Sequence, residues 1–199
     1  KKRLLLAGTL IALGAAVAIH GALQPDVGLL KFRAKGGYAY GFGDTDDRSV
    51  GMVRKFLNDH PEVHTLVLKK MPGTMDVDMN MRIAREIRKR GLNTHLDTDS
   101  FIASGAVDLF LAGNRRTMDC RALIGVHSWS SGRFYYPARI GHDPEQKKHE
   151  KFLVEMGIDP GFYAFSRDAA LPSDMYYLKP AEIERYGLLT EPPKCDADK

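Results

Sequence analysis

Between residues 63 and 126 the chain alternates short apolar runs with helix signals, and the links between them are only a few residues long. Val63-His-Thr-Leu-Val-Leu68 is β-branched and leucine-rich, the composition of a buried strand. After the turn Pro72-Gly73-Thr74, residues 76–90 carry Met79, Ile83, Ala84 and Ile87 at helical spacing. Asp76 and Asp78 sit where that helix has its positive end, Arg88, Lys89 and Arg90 where it has its negative end, and Gly91 stops it. Residues 92–96 then read as a strand, 103–112 as a helix ended by Gly113, and 123–126 as another strand. Strands linked through helices run parallel, so the pattern predicts an α/β fold of βαβ units with a mostly parallel sheet.

The flanks are less regular. Residues 36–43 alternate aromatic and small side chains as a first strand would, and 48–58 read as a helix with Val50, Val53 and Leu57 on one face. Residues 130–142 are a polar, aromatic loop without a period, 144–156 a charged helix, and 180–186 a short last helix with Pro180 in its first turn and Gly187 after it. The expected organisation is a leader or anchor over 1–23, a linker over 24–35, one domain over 36–191 and a tail over 192–199.

Lys1, Lys2 and Arg3 precede an uninterrupted apolar stretch from Leu4 to Ile19. A cleavable signal peptide would use 4–15 as its apolar region and Ala16-Val17-Ala18 as its cleavage site. An uncleaved anchor, an N-terminal apolar helix running to about Leu23, would have roughly the 20 residues a bilayer needs. Either way the rest of the chain is expected outside the cytoplasm, periplasmic if secreted or held at the inner membrane if anchored. The same three cations supply most of the net charge of +4, so the basic balance says little about partners. The cationic face over 82–90 has no interleaved aromatic residues for base stacking, which argues against nucleic acid. In an oxidising compartment Cys120 and Cys195 could bridge; equally, Cys120 could be a small buried hydrophobe and Cys195 a residue of the tail.

Chemistry-bearing residues gather where strands give way to turns or helices. Ser104 lies in Phe101-Ile-Ala-Ser-Gly-Ala-Val107, at a helix N-terminus whose unpaired N–H groups suit an oxyanion. His127 ends the apolar run Leu123-Ile-Gly-Val126 on the same expected sheet edge, where an imidazole would serve as general base. Asp174 could orient it, completing a Ser–His–Asp triad, and N–H groups of the 72–74 turn, at Gly73 or Thr74, could join Gly105 in the oxyanion hole. Bland roles compete: Ser104 or Ser100 as a helix cap, Ser100 as another nucleophile, Asp168 for Asp174, and Lys69 or Lys70 as the base of a Ser–Lys dyad. His60 and His64 are separated by Pro61, and His142 and His149 with Asp143 and Glu145 read as solvated surface, so no metal site is expected. No phosphate-binding glycine loop or cofactor fingerprint is present, and no cofactor is expected.

The order strand, Pro-Gly-Thr, helix, Ala-Ser-Gly, Gly-Val-His resembles the proteolytic subunit of the Clp protease, ClpP, of the ClpP/crotonase fold. Asp174 followed by a helix ending in Tyr186-Gly-Leu188 fits the same family. Leu111-Ala-Gly-Asn-Arg115 and Met156-Gly-Ile-Asp-Pro160 are similar to segments of ClpP-like periplasmic or membrane-anchored bacterial proteins. The resemblance spans roughly 37–190. It implies a spiral of βαβ units, Ser104 as nucleophile, His127 as base, Asp174 as orienter and Gly73 and Gly105 as oxyanion donors. Thr74 stands where the family has a second turn glycine, and Ile102 and Val107 where the periplasmic relatives commonly have cysteines. The expectation is therefore an extracytoplasmic serine hydrolase, acting as a peptidase through an acyl-enzyme on Ser104, membrane-associated through its N-terminus and able to form a homo-oligomer. Two other classes remain: an inactive fold that binds a protein partner, and acyl-CoA chemistry, which would need no serine.

Overall fold

Three strands of one sheet each lead within a few residues into a strand of a second sheet. The computed structural model describes residues 29–131, 134–135 and 145–195. Strand β1 (Lys31–Lys35) pairs antiparallel with β2 (Tyr38–Phe42), and β2 lies parallel to β3 (Thr65–Leu68). β3 kinks into β4 (Lys70–Met71), β5 (Asn93–Leu96) passes through a turn into β6 (Phe101–Ala103), and β7 (Arg116–Met118) into β8 (Leu123–Val126). The first members form a sheet ordered β1-β2-β3-β5-β7. The second members form another, ordered β11-β8-β6-β4, with β11 (Tyr176–Tyr177) antiparallel at its edge. β9 (Ser130–Ser131) and β10 (Phe134–Tyr135) make a separate hairpin pair. The repeating unit is thus strand, strand, helix rather than the simple βαβ expected, and the chain winds through two sheets at once.

Helix α1 (Ser49–Asp59) follows β2, α2 (Val77–Lys89) follows β4, and α3 (Gly105–Leu111) follows β6. α4 (Gln146–Glu155), α5 (Gly161–Ala169) and α6 (Pro180–Arg185) come after the spiral. Leu66, Leu68, Met71, Ile83, Ile87, Leu96, Ile102 and Phe110 are almost fully buried between sheets and helices. Every residue of β3 is buried, as a central parallel strand requires. A fully buried leucine or phenylalanine contributes roughly 1.5–3 kcal/mol, so this shared core holds both sheets and the helix starts in place.

Three expectations change. The linker over 24–35 is folded from Leu29 onward: β1 forms the sheet's antiparallel edge, and Leu30 is buried. A strand alternating Lys31, Arg33 and Lys35 with Phe32 and Ala34 hides on one side only, a pattern weak enough to pass for a linker. Helix α5 was not foreseen, although Phe162 and Tyr163 bury one face of it behind Pro160. The tail is tied down as far as Cys195. Cys120 and Cys195 form a disulfide with Cα atoms 5.0 Å apart, and the Lys194 carbonyl accepts the Cys120 N–H. Arg116, buried, donates to the carbonyls of Gly113, Gly187 and Leu188, fixing the Tyr186-Gly-Leu188 segment against β7. The apolar stretch 4–23 lies outside the described residues, and among those described no helix is long and apolar enough to cross a membrane.

Candidate functional site

Ser104 joins β6 to α3 with φ 51° and ψ −127°, the sole non-glycine residue with positive φ among those described. Such a conformation costs on the order of 1–3 kcal/mol and persists because its surroundings impose it. The Ser104 N–H donates to the Gly125 carbonyl of β8 at 3.0 Å, which anchors the strained residue to the neighbouring strand. Its side chain makes no capping bond to α3. The bland role of helix cap is therefore not the one Ser104 plays; the residue lines a cavity of about 770 Å³. Ser100, by contrast, is buried in a turn where its hydroxyl donates to Asp97 at 2.8 Å.

Gly105, first residue of α3, has no intrahelical acceptor for its N–H, and among the described residues no other group accepts it. Its lack of a side chain is a packing requirement. A Cβ there would fall 2.7 Å from Thr74 Cβ, so the threonine in the Pro-Gly-Thr turn occupies the space a larger residue would need. Thr74 is itself held by Thr45, whose hydroxyl lies 2.7 Å from the Thr74 hydroxyl and 2.9 Å from Asn80 Oδ1. Asn80, on α2, donates through Nδ2 to the Gly105 carbonyl at 2.7 Å and to Asp108 Oδ2 at 3.3 Å. Three elements thus lock the start of α3.

Gly73 is adjacent to Ser104: a Cβ on it would lie 3.6 Å from Ser104 Cβ and 3.9 Å from Ser104 Oγ. The Asp44 carboxylate lies close by: the Gly73 backbone holds that carboxyl down while burial, the stronger effect, raises it above the ordinary aspartate value. Of the two sequence-predicted oxyanion donors, Gly105 therefore presents an open N–H, and Gly73 lies beside the Asp44 carboxylate.

His127, half-buried just past the end of β8, lines the same cavity as Ser104 and Gly105. Its Nδ1 lies 2.6 Å from the Ser128 carbonyl. A carbonyl can only accept, so Nδ1 carries the proton and Nε2 is left with a lone pair, the tautomer a general base needs. Asp174 does not supply this orientation. It is exposed in the turn before β11, its N–H bonded to Leu171, and no hydrogen bond joins it to His127 among the described residues. Asp168, the competing aspartate, pairs with Arg167. Lys69 is also elsewhere: burial works against its charge, but the Asp97 and Asp99 carboxylates that receive its ammonium raise its pKa overall. The structure brings Ser104, Gly105, Thr74 and His127 around one cavity, with Gly73 alongside, and leaves Asp174 outside. No hydrogen bond joins Ser104 Oγ to His127 among the described residues, a looseness common at sites without substrate.

Asp108 was missed from the sequence. It lies one helical turn beyond Ser104, lines the cavity, and is pushed by burial up to about 7, against the lowering effect of Asn80. The signal was there, since Asp108 is the only charged residue between Phe101 and Gly113. Among the described residues no group of histidines, cysteines and carboxylates could hold a metal.

No protein-family model matches the chain, and no curated protein matches it in sequence. Among solved structures, it is similar to a serine-to-alanine mutant of 1510-N, a membrane-bound stomatin-specific protease, with 14% identity and a TM-score of 0.51 over 79% of this chain and 80% of that one. A lysine-to-alanine mutant of the same protease, in complex with a substrate peptide, matches at 15% identity and TM-score 0.50 over 79% and 75%. An enoyl-CoA hydratase/isomerase family member matches at 15% identity and TM-score 0.51 over 84% and 70%. The fold is that of the ClpP/crotonase proteins. Proteins of this fold in the comparison are enzymes, with both peptide and CoA-ester chemistry represented, so the fold by itself does not choose between them.

Proposed function

We propose that this protein is a serine hydrolase that cleaves peptide bonds through an acyl-enzyme on Ser104, acting outside the cytoplasm. The observation that carries this is the strained, uncapped Ser104 beside an imidazole whose Nδ1 is fixed by a carbonyl. A serine kept in that conformation without capping its helix has no structural return for the strain. In the reaction, Ser104 Oγ would attack the substrate carbonyl carbon while His127 Nε2 takes its proton. The oxyanion would be held by the Gly105 N–H at the start of α3, where the helix end favours negative charge. Collapse would expel the amine, which takes its proton from the imidazolium, and water activated by His127 would release the acid. The likeness to a protease structure with a bound substrate peptide supports a peptide substrate. The Cys120–Cys195 disulfide and the apolar N-terminus support an oxidising location, with the leader removed or kept as a membrane anchor.

A catalytically silent module that binds a protein partner is favoured by one observation: the Asp44 carboxylate lies beside Gly73, where it competes with an oxyanion for the N–H of the turn. The test is labelling of the full chain by a fluorophosphonate probe, wild type against Ser104→Ala. Labelling that disappears in the variant is the expected result; a folded wild type that never labels overturns the hydrolase and leaves the silent module.

A further inference from the structure

The wall of the cavity beside Ser104 has an unusual balance of donors and acceptors. Asp108 projects into it from α3, and only its Oδ2 has a partner, the Asn80 amide at 3.3 Å; among the described residues no donor reaches Oδ1. An ionised carboxylate has room for about four hydrogen bonds, so most of its capacity is unused. Ser166 of α5 lines the same cavity with a buried Oγ that has no hydrogen-bond partner. Among the described residues no lysine or arginine lines the cavity. Lys148 lies behind the rim, paired with Glu145 and with Asp78. Trp129, Phe162 and Tyr163 provide aromatic surface in the same cavity. A ligand group matching this wall brings hydrogen-bond donors and positive charge on an apolar stem, which describes a lysine or arginine side chain.

We propose that this cavity is the subsite for a cationic side chain, a lysine or arginine of a peptide substrate, received by Asp108 with Ser166 beside it. The proposal rests on the hydrolase reading for its orientation. Asp108 stands four residues after Ser104 on one helix face, an axial distance of roughly 6 Å. A side chain reaching Asp108 therefore belongs to the residue whose carbonyl lies at Ser104. Asp108 is the specificity-determining group, and Asn80 positions it. Groups facing Asp108 around the cavity are Asn80 from α2, His127 past the end of β8, and Glu145 and His149 at the start of α4. In the empty cavity burial favours the neutral carboxyl; a seated cation draws the proton off, so binding strengthens toward alkaline pH.

The test separates the subsite from the chemistry. Nα-acetyl-lysine methylamide and Nα-acetyl-norleucine methylamide, which differ in the ammonium, are titrated into the full chain by calorimetry at about pH 8. The lysine compound is expected to bind at least about tenfold more tightly, and Asp108→Asn to cut that ratio below about threefold. Asp108→Glu, which keeps the charge, should retain part of the preference and serves if Asp108→Asn does not fold. Equal affinities in wild type, tighter binding of norleucine, or a preference untouched in the folded Asp108 variant overturns the proposal. Binding precedes bond cleavage, so the two ideas fail separately. A lysine preference without fluorophosphonate labelling removes the hydrolase and leaves the cation subsite, whereas labelling without the preference removes the subsite alone.

Discussion

Helices α2 and α3 begin in opposite ways. α2 starts at Asp76, in extended conformation, whose carboxylate accepts the Met79 N–H at 3.0 Å. Asp78 lies in its first turn and Arg88 and Lys89 in its last, so its ends are matched to the helix dipole. α3 starts at Ser104, equally able to cap, yet its hydroxyl bonds no helix N–H and its φ is positive. The first start stabilises the fold. The second gives up a cap and accepts strain, and Ser104 and Gly105, whose N–H is open, both line the cavity. The contrast teaches that Ser104 is set apart by a local stabilising role it could have and does not take.

The largest effect that would break this contrast concerns Ser104. Ser104→Ala should lower fluorophosphonate labelling by at least about a thousandfold, while Ser104→Gly, free of the positive-φ penalty, should stabilise the fold by about 1 kcal/mol in urea unfolding. A Ser104→Gly variant that is clearly less stable than wild type would show that the hydroxyl was structural after all.

Next in size is the charge one turn further along α3. Burial raises Asp108 from 3.8 to about 7, so between those values the folded protein keeps a proton that the unfolded chain has lost. That contribution is complete below the ordinary aspartate pKa and is lost as pH rises through about 7. Asp108→Asn should therefore be more stable than wild type by on the order of 3 kcal/mol at about pH 8, and by little below about pH 4. A stability difference that does not change with pH would mean that Asp108 is not held in its buried state.

The α2 start supplies the control. Asp76→Ala should cost about 1 kcal/mol of stability and leave fluorophosphonate labelling nearly intact at temperatures where the protein is folded. Smallest of all should be Asp174→Ala: with His127 oriented by the Ser128 carbonyl, the labelling rate should change by less than about threefold. A loss of about a hundredfold or more would restore Asp174 as the third member of a triad.

Legibility differed between the two sheets for a physical reason. β3 and β5 are four residues long; β3 is buried throughout and β5 alternates buried Thr94 and Leu96 with Asn93 and His95, and they were readable from residues 63–68 and 92–96. β4, β6 and β7 have two or three residues each, too short for any period to emerge. β1 hid behind alternating lysine and arginine, as edge strands do. The same division runs through the site. Ser104, Gly105 and His127 were visible because each stands where an apolar run meets a turn. Asp108 was passed over because one charge within a helix reads as a solvated position, and only packing shows that it faces a cavity. Asp44 gave no signal, since its contact with Gly73 joins segments far apart in sequence.

By itself, the sequence determined the alternation of strands and helices, the helix ends set by Asp76, Gly91 and Gly187, and the apolar faces that must be buried. These are local properties, governed by backbone sterics, dipoles and periodicity over a few residues. Tertiary structure alone decided that the strands split between two sheets, that Cys120 and Cys195 meet, and that Ser104 leaves its helix uncapped. It also decided that His127 takes its orientation from the Ser128 carbonyl, while Asp174 stays in solvent. Those outcomes depend on which distant groups share a small, dry volume, and desolvation and close packing act there on distances that sequence spacing does not encode.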